Sequence, residues 1–385
     1  MIPPTDPTLA AALIDGTDVE PRDYQLRIAS SAIRMFHGEH RNRAGELEPA
    51  AHSVMIESPT GSGKTIMALA IARYMQRRHG YSVGWVAMRR NLLAQAEREN
   101  RRFGYDVDLR RISMFDKNPP PADFLVVDEA QHDAAMSMAN LHCEIRPKRV
   151  LGLTATPFRT DRIKLCFDKV ITDANIHQLI ADGYLSRYHH FTIPEYTPES
   201  VTRFFAAEPA RWGKSLIFFH RLDECLQCQR RLAAAGVEAE VVTAKSNRER
   251  QIADFENDRV NVLVNMAILT EGFDCPRLKT VFCRPSGKGC TIQMGGRVFR
   301  KHPELPFKQI VQCRNTRHPF LRTAAAAEQY AWMEESWRTL KLNDQIAAIS
   351  QMARDVIAKS TVALPAAVRQ HRSGSFRWQR RRHED

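Results

Sequence analysis

Short apolar runs alternate with amphipathic stretches along most of the chain. In the first half, VMIES (54–58), VGWVAM (83–88), FLVVDE (124–129) and VLGLTATP (150–157) are brief, bounded and apolar, and predict strands. Between the first two lies IMALAIARYMQRRHG (66–80), and after the second NLLAQAERENRRFG (91–104), both with helical periodicity. A looser stretch follows to about residue 210, and then the pattern restarts. SLIFFH (215–220), EAEVVTA (238–244), VNVLVNM (260–266) and LKTVFCRP (278–285) predict strands, while RLDECLQCQRRLAAAG (221–236) and NRERQIADFEND (247–258) predict helices. Strand alternating with helix is the pattern of a parallel α/β sheet, here twice in tandem without sequence repetition. After about residue 320, AAAAEQYAWMEESWRTL (324–340) and NDQIAAISQMARDVIAK (343–359) read as helices with no strand between them.

Composition changes this picture little. At 385 residues, two or three domains are expected. Apolar residues at 43% and charged residues at 26% describe a globular chain. No run of 18 or more apolar residues marks a membrane span, and the first residues lack the basic flank of a signal peptide. Of the eight cysteines only Cys225 and Cys228 form a C-x-x-C, inside a predicted helix. One pair cannot supply four zinc ligands, so two reduced thiols are expected there, with metal or redox use as the alternative. A reducing cytoplasm fits. Charge adds more. Lys and Arg total 56 against 44 acids, a net charge of +12, which favours a polyanionic partner. The basic end RQHRSGSFRWQRRRHED (369–385) reads as a mobile terminus, with strand binding as the alternative.

The candidate chemistry starts at SPTGSGKT (58–65). The phosphate-loop pattern is G-x-x-x-x-G-K-[ST]; Ser58 replaces its first glycine, while Gly63, Lys64 and Thr65 stand as expected and Gly61 adds a second small residue. Small residues from Pro59 through Thr60, Gly61, Ser62 and Gly63 let backbone N–H groups approach phosphates at a helix N-terminus. Lys64 would meet the β- and γ-phosphates, and the Thr65 hydroxyl would ligate Mg²⁺. FLVVDEAQH (124–132) ends a strand in Asp128 and Glu129 at a carboxyl edge, where such sheets bind ligands. Asp128 suits the Mg²⁺ shell and Glu129 the polarising of a water. In QMGGRVFR (293–300), Gln293, Arg297 and Arg300 would share one face if the segment is helical. Two guanidiniums there could neutralise charge on a γ-phosphoryl group.

Together these segments resemble a superfamily-2 helicase of the branch containing type III restriction subunits (ResIII-like), RadD-like and XPB-like proteins, from about residue 21 to 318. PRDYQ (21–25) resembles the adenine-reading segment, implying Arg22 and Gln25 at the base. VAMRRNLLAQA resembles a segment touching the nucleic-acid backbone, implying Arg89. GLTATPFR (152–159) resembles the coupling segment, implying Thr154 and Thr156, with Gln131 and His132 across from it. LTEGFDCP (269–276) resembles a segment facing both ATP and strand, implying Gly272 and Asp274 at the nucleotide and Thr270 at the strand. Gln131 stands where many relatives have His, and Gln312, in KQIVQCRNTRHPF, where close relatives have Asp.

The resemblance implies two tandem RecA-like parallel-sheet domains. Their expected spans are 21–165 for the first and 211–320 for the second. An N-terminal extension (1–20), a connecting segment (166–210), a short helical extension (321–365) and the basic tail (366–385) complete the division. It also implies an ATP- and Mg²⁺-dependent enzyme that moves along DNA as a monomer in the cytoplasm. The alternatives are an RNA remodelling ATPase, or a DNA-clamping subunit partnered by a nuclease or methylase. The C-terminal helices would cap the second domain around Trp332 and Trp337, or serve as a docking surface.

Overall fold

The computed structural model describes residues 7–42, 44–132, 136–155, 167–266, 269, 273 and 275–340, and only the backbone of 132, 136 and 137. Fourteen strands are present among them: β1 (Ser53–Glu57), β2 (Val83–Ala87), β3 (Leu109–Ser113), β4 (Phe124–Asp128), β5 (Arg149–Thr154), β6 (Lys169–Ile171), β7 (Arg187–Ile193), β8 (Ser215–Phe218), β9 (Glu240–Val242), β10 (Val262–Asn265), β11 (Thr280–Phe282), β12 (Phe307–Cys313), β13 (Glu328–Met333) and β14 (Ser336–Thr339). They form a six-stranded sheet, β3-β2-β4-β5-β1-β6, and an eight-stranded one, β14-β13-β7-β12-β11-β8-β10-β9. Every pairing in the first is parallel. In the second only β13 and β14 pair antiparallel.

The two faces of the first sheet explain its near-continuous apolar strands. Val54 and Ile56 pack with Ile28 and Ile33 of the helix Asp23–His37 and Met67 and Ile71 of the helix Lys64–His79. The intervening Met55 turns to the other face, against Met138, Leu141 and Ile145. Six parallel strands with both faces covered leave their carboxyl edge as the place where loops can hold a ligand.

Three features depart from the sequence expectation. β3, LRRIS, carries two arginines in five residues and gives no apolar run, yet it pairs with β2. The second sheet begins at β7, within the expected connecting segment, and β7 pairs with both β12 and β13, so it lies inside that sheet. Its polar His189 and His190 interrupt any simple alternation, and His190 is buried with its Nε2 3.0 Å from Gln312 Oε1.

The third departure concerns 324–340, expected as a helix. Residues 328–339 form the β13–β14 hairpin. Tyr330 and Trp332, two apart on β13, pack with Trp337 of β14 against the core around Phe191 and Trp212. Glu334 and Glu335 form the two-residue turn with φ of 50° and 59°, the backbone that a tight hairpin demands. The aromatic residues follow the period of a strand, and tertiary packing overrides the helix propensity of the preceding alanines. The second predicted helix (343–359) and the basic tail lie outside the described residues.

Candidate active site

The loop from β1 to the helix Lys64–His79 is built on two left-handed glycines, Gly61 (φ 84°) and Gly63 (φ 82°). A Cβ on Gly63 would come within 2.3 Å of Gln25 Nε2. Ser58, fully buried where the pattern has glycine, donates its N–H to Thr154 O at 2.9 Å and ties the loop to β5. Ser62 O accepts from the Tyr24 hydroxyl (2.6 Å) and from Gln25 Nε2 (2.8 Å). Gln25 Oε1 in turn accepts from Arg22 N–H (3.0 Å). The Arg22 guanidinium donates to Tyr24 Oη (3.1 Å) and lies 5.0 Å from the centre of the Tyr184 ring. Tyr24 and Gln25 therefore hold the phosphate loop directly, and Arg22 braces both.

Lys64 donates from Nζ to Ser58 O (3.0 Å) and Pro59 O (3.3 Å), folded back over its own loop. Burial lowers its pKa, the charges of Glu129 and Asp128 oppose that, and Arg297 and Arg300 add to the lowering. Asp128 is pushed up to about 7, first by burial and then by the charge of Glu129. Asp128 and Glu129 line the same cavity as Thr65, and such oxygen donors are the chemistry Mg²⁺ takes, with most of its shell kept as water and phosphate. No cluster of three or more His, Cys, Asp or Glu side chains shaped for a metal occurs among the described residues.

Glu129 takes a left-handed backbone (φ 53°), uncommon for a residue with a side chain, and its N–H donates to Asp128 Oδ1 at 3.0 Å. Its carboxylate accepts from Gln131 Nε2 (2.8 Å), and Gln131 Oε1 accepts from the Thr154 hydroxyl (2.7 Å). The glutamine bridges the acid pair to β5.

One cavity of about 380 Å³ joins these groups to the second sheet: Thr60, Lys64, Thr65, Asp128 and Glu129 line it together with Phe273, Arg297 and Arg300. Thr60 also lies 3.6 Å from where a Gly296 Cβ would be, so the two halves meet at the loop. Arg297 is buried and donates from one terminal nitrogen to Phe273 O (3.1 Å). The route by which the arginines reach the cleft differs from the helical face expected. The helix Lys288–Gly296 ends at a glycine pair, Arg297–Phe299 tightens into a 3₁₀ turn, and Arg300 is extended (φ −60°, ψ 130°). Gly295 allows this by close packing, since a Cβ there would stand 2.5 Å from the Phe320 ring. Gln293, left behind on the helix, is half-buried and is not among the cleft-lining residues.

Other expected residues fall elsewhere. Arg89 occupies the N-cap position of the helix Arg90–Arg102 just beyond β2, at the carboxyl edge. Thr156, Thr270, Gly272 and Asp274 lie outside the described residues, as does the side chain of His132. Gln312 is fully buried and accepts Phe320 N–H at 2.7 Å, bracing the loop after β12. Cys225 and Cys228 are buried in the second core, which raises their thiols to about 12 and about 11.

The far wall of the cavity was not foreseen. Val19, Leu92 and Phe103 line it, with Glu20, Glu99 and Arg102 around them. Asp18 N–H donates to Phe103 O (3.1 Å), stitching the segment before Arg22 to the end of the helix Arg90–Arg102. Phe103 reads as an ordinary core residue at a helix end, and only the fold brings it to Val19.

Comparisons with known proteins bear on the family and the fold. The family model of the type III restriction enzyme res subunit matches residues 18–118, and that of the helicase conserved C-terminal domain matches 197–302. A 51.5 kDa protein of a Lactococcus phage is 25% identical over 271 residues, covering 60% of this chain and 59% of its own. A putative helicase of a Sulfolobus islandicus filamentous virus is 26% identical, covering 46% and 40%. The putative ATP-dependent helicase IRC3 of Saccharomyces cerevisiae is 23% identical, covering 50% and 34%. The chain therefore spans from 34% to 59% of the length of these relatives. Among solved structures, the ATP-dependent Type ISP restriction-modification enzyme LlaBIII bound to DNA superposes with a TM-score of 0.58 at 14% identity, over 78% of this chain and 28% of that one. Dbp5 of S. cerevisiae bound to RNA and ADP BeF3 gives 0.58 at 16%, over 90% and 97%. Both likenesses carry the fold: two RecA-like parallel-sheet domains.

Proposed function

The chain belongs, by its two matched domains, with the ResIII-like superfamily-2 helicases, and from that premise we propose that it is an ATP-dependent helicase or translocase acting on DNA. The observation carrying this is the convergence of Lys64, from the first sheet, with Arg297 and Arg300, from the second, on one cleft. ATP would bind between them, where Thr65 and Asp128 would hold Mg²⁺, which would supply charge neutralisation at the β- and γ-phosphates. Glu129 orients and deprotonates the attacking water. Val19 and Phe103 floor the purine end, beside Arg22 and Gln25.

A triphosphate held from both sides favours the closed arrangement, and hydrolysis removes that preference. A strand bound along both halves is then drawn forward, gripped mainly through phosphates. The surplus of positive charge suits that grip. DNA is preferred because the restriction-subunit family model matches residues 18–118, which hold the phosphate loop. RNA is the second reading, favoured by the fold-level match over nearly the whole length of an RNA-bound relative. A nuclease or methylase partner would complete a restriction or repair system.

ATP turnover measured alone and with single-stranded DNA, duplex DNA and RNA tests this. Stimulation by DNA above RNA is expected, and Lys64→Ala should abolish turnover. No stimulation by any nucleic acid would remove the motor reading.

A further inference from the structure

Phe115 is the most exposed large apolar side chain among the described residues, at 62%. It sits two residues past the end of β3. Because β2, β3 and β4 run parallel, the same carboxyl edge carries Met88–Arg89 after β2 and Asp128–Glu129 at the end of β4. Met114 N–H donates to Ala87 O at 3.1 Å, lacing the two edges together.

The turn holding Phe115 is a built one. Asp116 N–H donates to Ser113 O (2.9 Å), Phe115 N–H to Ser113 Oγ (3.3 Å), and Asn118 N–H to Asp116 Oδ1 (3.2 Å). Three prolines follow at 119–121, and Arg110 donates to Pro121 O. Met114 points inward, buried, and shares a small pocket with Met88, Asp128 and Glu129. Its neighbour therefore points out, and the ring stands in water beside a site for which hydrolysis is proposed above.

The surroundings say what the ring suits. Arg90, Arg111 and Lys117 are exposed on the flanking segments, and Asp116 is the single acid between residues 111 and 118. The other exposed large apolar residues among those described, Leu47, Leu222, Met333 and Leu340, lie on other segments of the chain. An isolated aromatic face among cations matches a nucleic-acid strand: phosphates meet the cations and a base meets the ring. We propose that Phe115 is a base-stacking platform for a single strand running along the carboxyl edge of the first sheet. The proposal rests on the nucleic-acid reading above and adds a contact to a base, tolerant of sequence, where that reading has contacts to phosphates.

The test uses the full chain and a single-stranded oligonucleotide carrying 2-aminopurine, alongside a strand with abasic sites, titrated at several salt concentrations. Phe115→Ala should weaken binding by about 5- to 150-fold, the range for losing one stacked base. The slope of log affinity against log salt should not change, because no phosphate contact is lost. Wild type should quench 2-aminopurine and the alanine variant should not; Phe115→Trp should restore both readouts. Lys117→Ala should instead shift the salt slope by about one. On the abasic strand, wild type and Phe115→Ala should bind alike. If wild type binds strongly and Phe115→Ala binds equally well with quenching intact, the stacking role is overturned while the motor reading stands. If wild type itself binds no nucleic acid, both fall.

Discussion

The side chain of Gln131 has two ends with opposite hydrogen-bonding character, and the structure uses both. Its amide N–H meets the Glu129 carboxylate and its carbonyl meets the Thr154 hydroxyl. The resemblance sets His at this position in many relatives; here the glutamine connects the acid to β5 through its two ends. Gln131→Leu should keep ATP affinity within a few fold and lower stimulated turnover at least tenfold, since a hydrogen bond to a charged group contributes about 1.5–3 kcal/mol; steady-state kcat and KM separate the two effects. Glu129→Gln preserves shape and removes the base, and should cost about 10²–10⁴ in kcat. At Gly63, alanine would meet both a left-handed backbone and the Gln25 amide, so Gly63→Ala should impair nucleotide binding more than it impairs folding. Phosphate loop and acid pair were legible because their chemistry is local in sequence and fixed in spacing. Val19 and Phe103 were not, because they meet only through tertiary packing. The path of Arg300 was not, because helical spacing carries no signal that a glycine pair ends the helix first.

Elements were legible where apolar runs were long and misread where packing overrode propensity. Before the hairpin, four consecutive alanines bias the reading toward helix, and only the Tyr330–Trp332 alternation speaks for a strand. The Trp332 and Trp337 rings meet edge to face at 5.2 Å across the hairpin, and Trp337 Nε1 donates to Glu208 Oε1 at 2.9 Å. Capping of the second core by these tryptophans thus stands, on strands in place of helices. Trp337→Ala should destabilise the chain by about 3 kcal/mol, seen as a lower urea midpoint. Glu335→Gly, at φ 59°, should stabilise the chain by up to about 1 kcal/mol through relief of a left-handed side-chain residue, seen as a higher urea midpoint. β3 escaped notice for a related reason: an edge strand with two arginines has no buried pattern to read, yet its end carries the exposed Phe115.

At the scale of the molecule, tandem α/β architecture was written in the repeated alternation of strand and helix, while the extent of the second sheet was not. β7 and the hairpin join it from segments on either side of the expected limits. That arrangement ties the arginine segment into the connecting chain: Ser186, just before β7, donates its N–H to Phe299 O (2.9 Å) and its hydroxyl to Arg300 O (3.3 Å). Single-turnover ATP hydrolysis by Arg300→Ala, with ATP affinity measured on the same protein, probes this shared grip most directly. A fall of about 10³ or more in the hydrolytic step with binding nearly kept is the predicted result; hydrolysis at the wild-type rate would mean that the second half contributes no charge to the reacting phosphate.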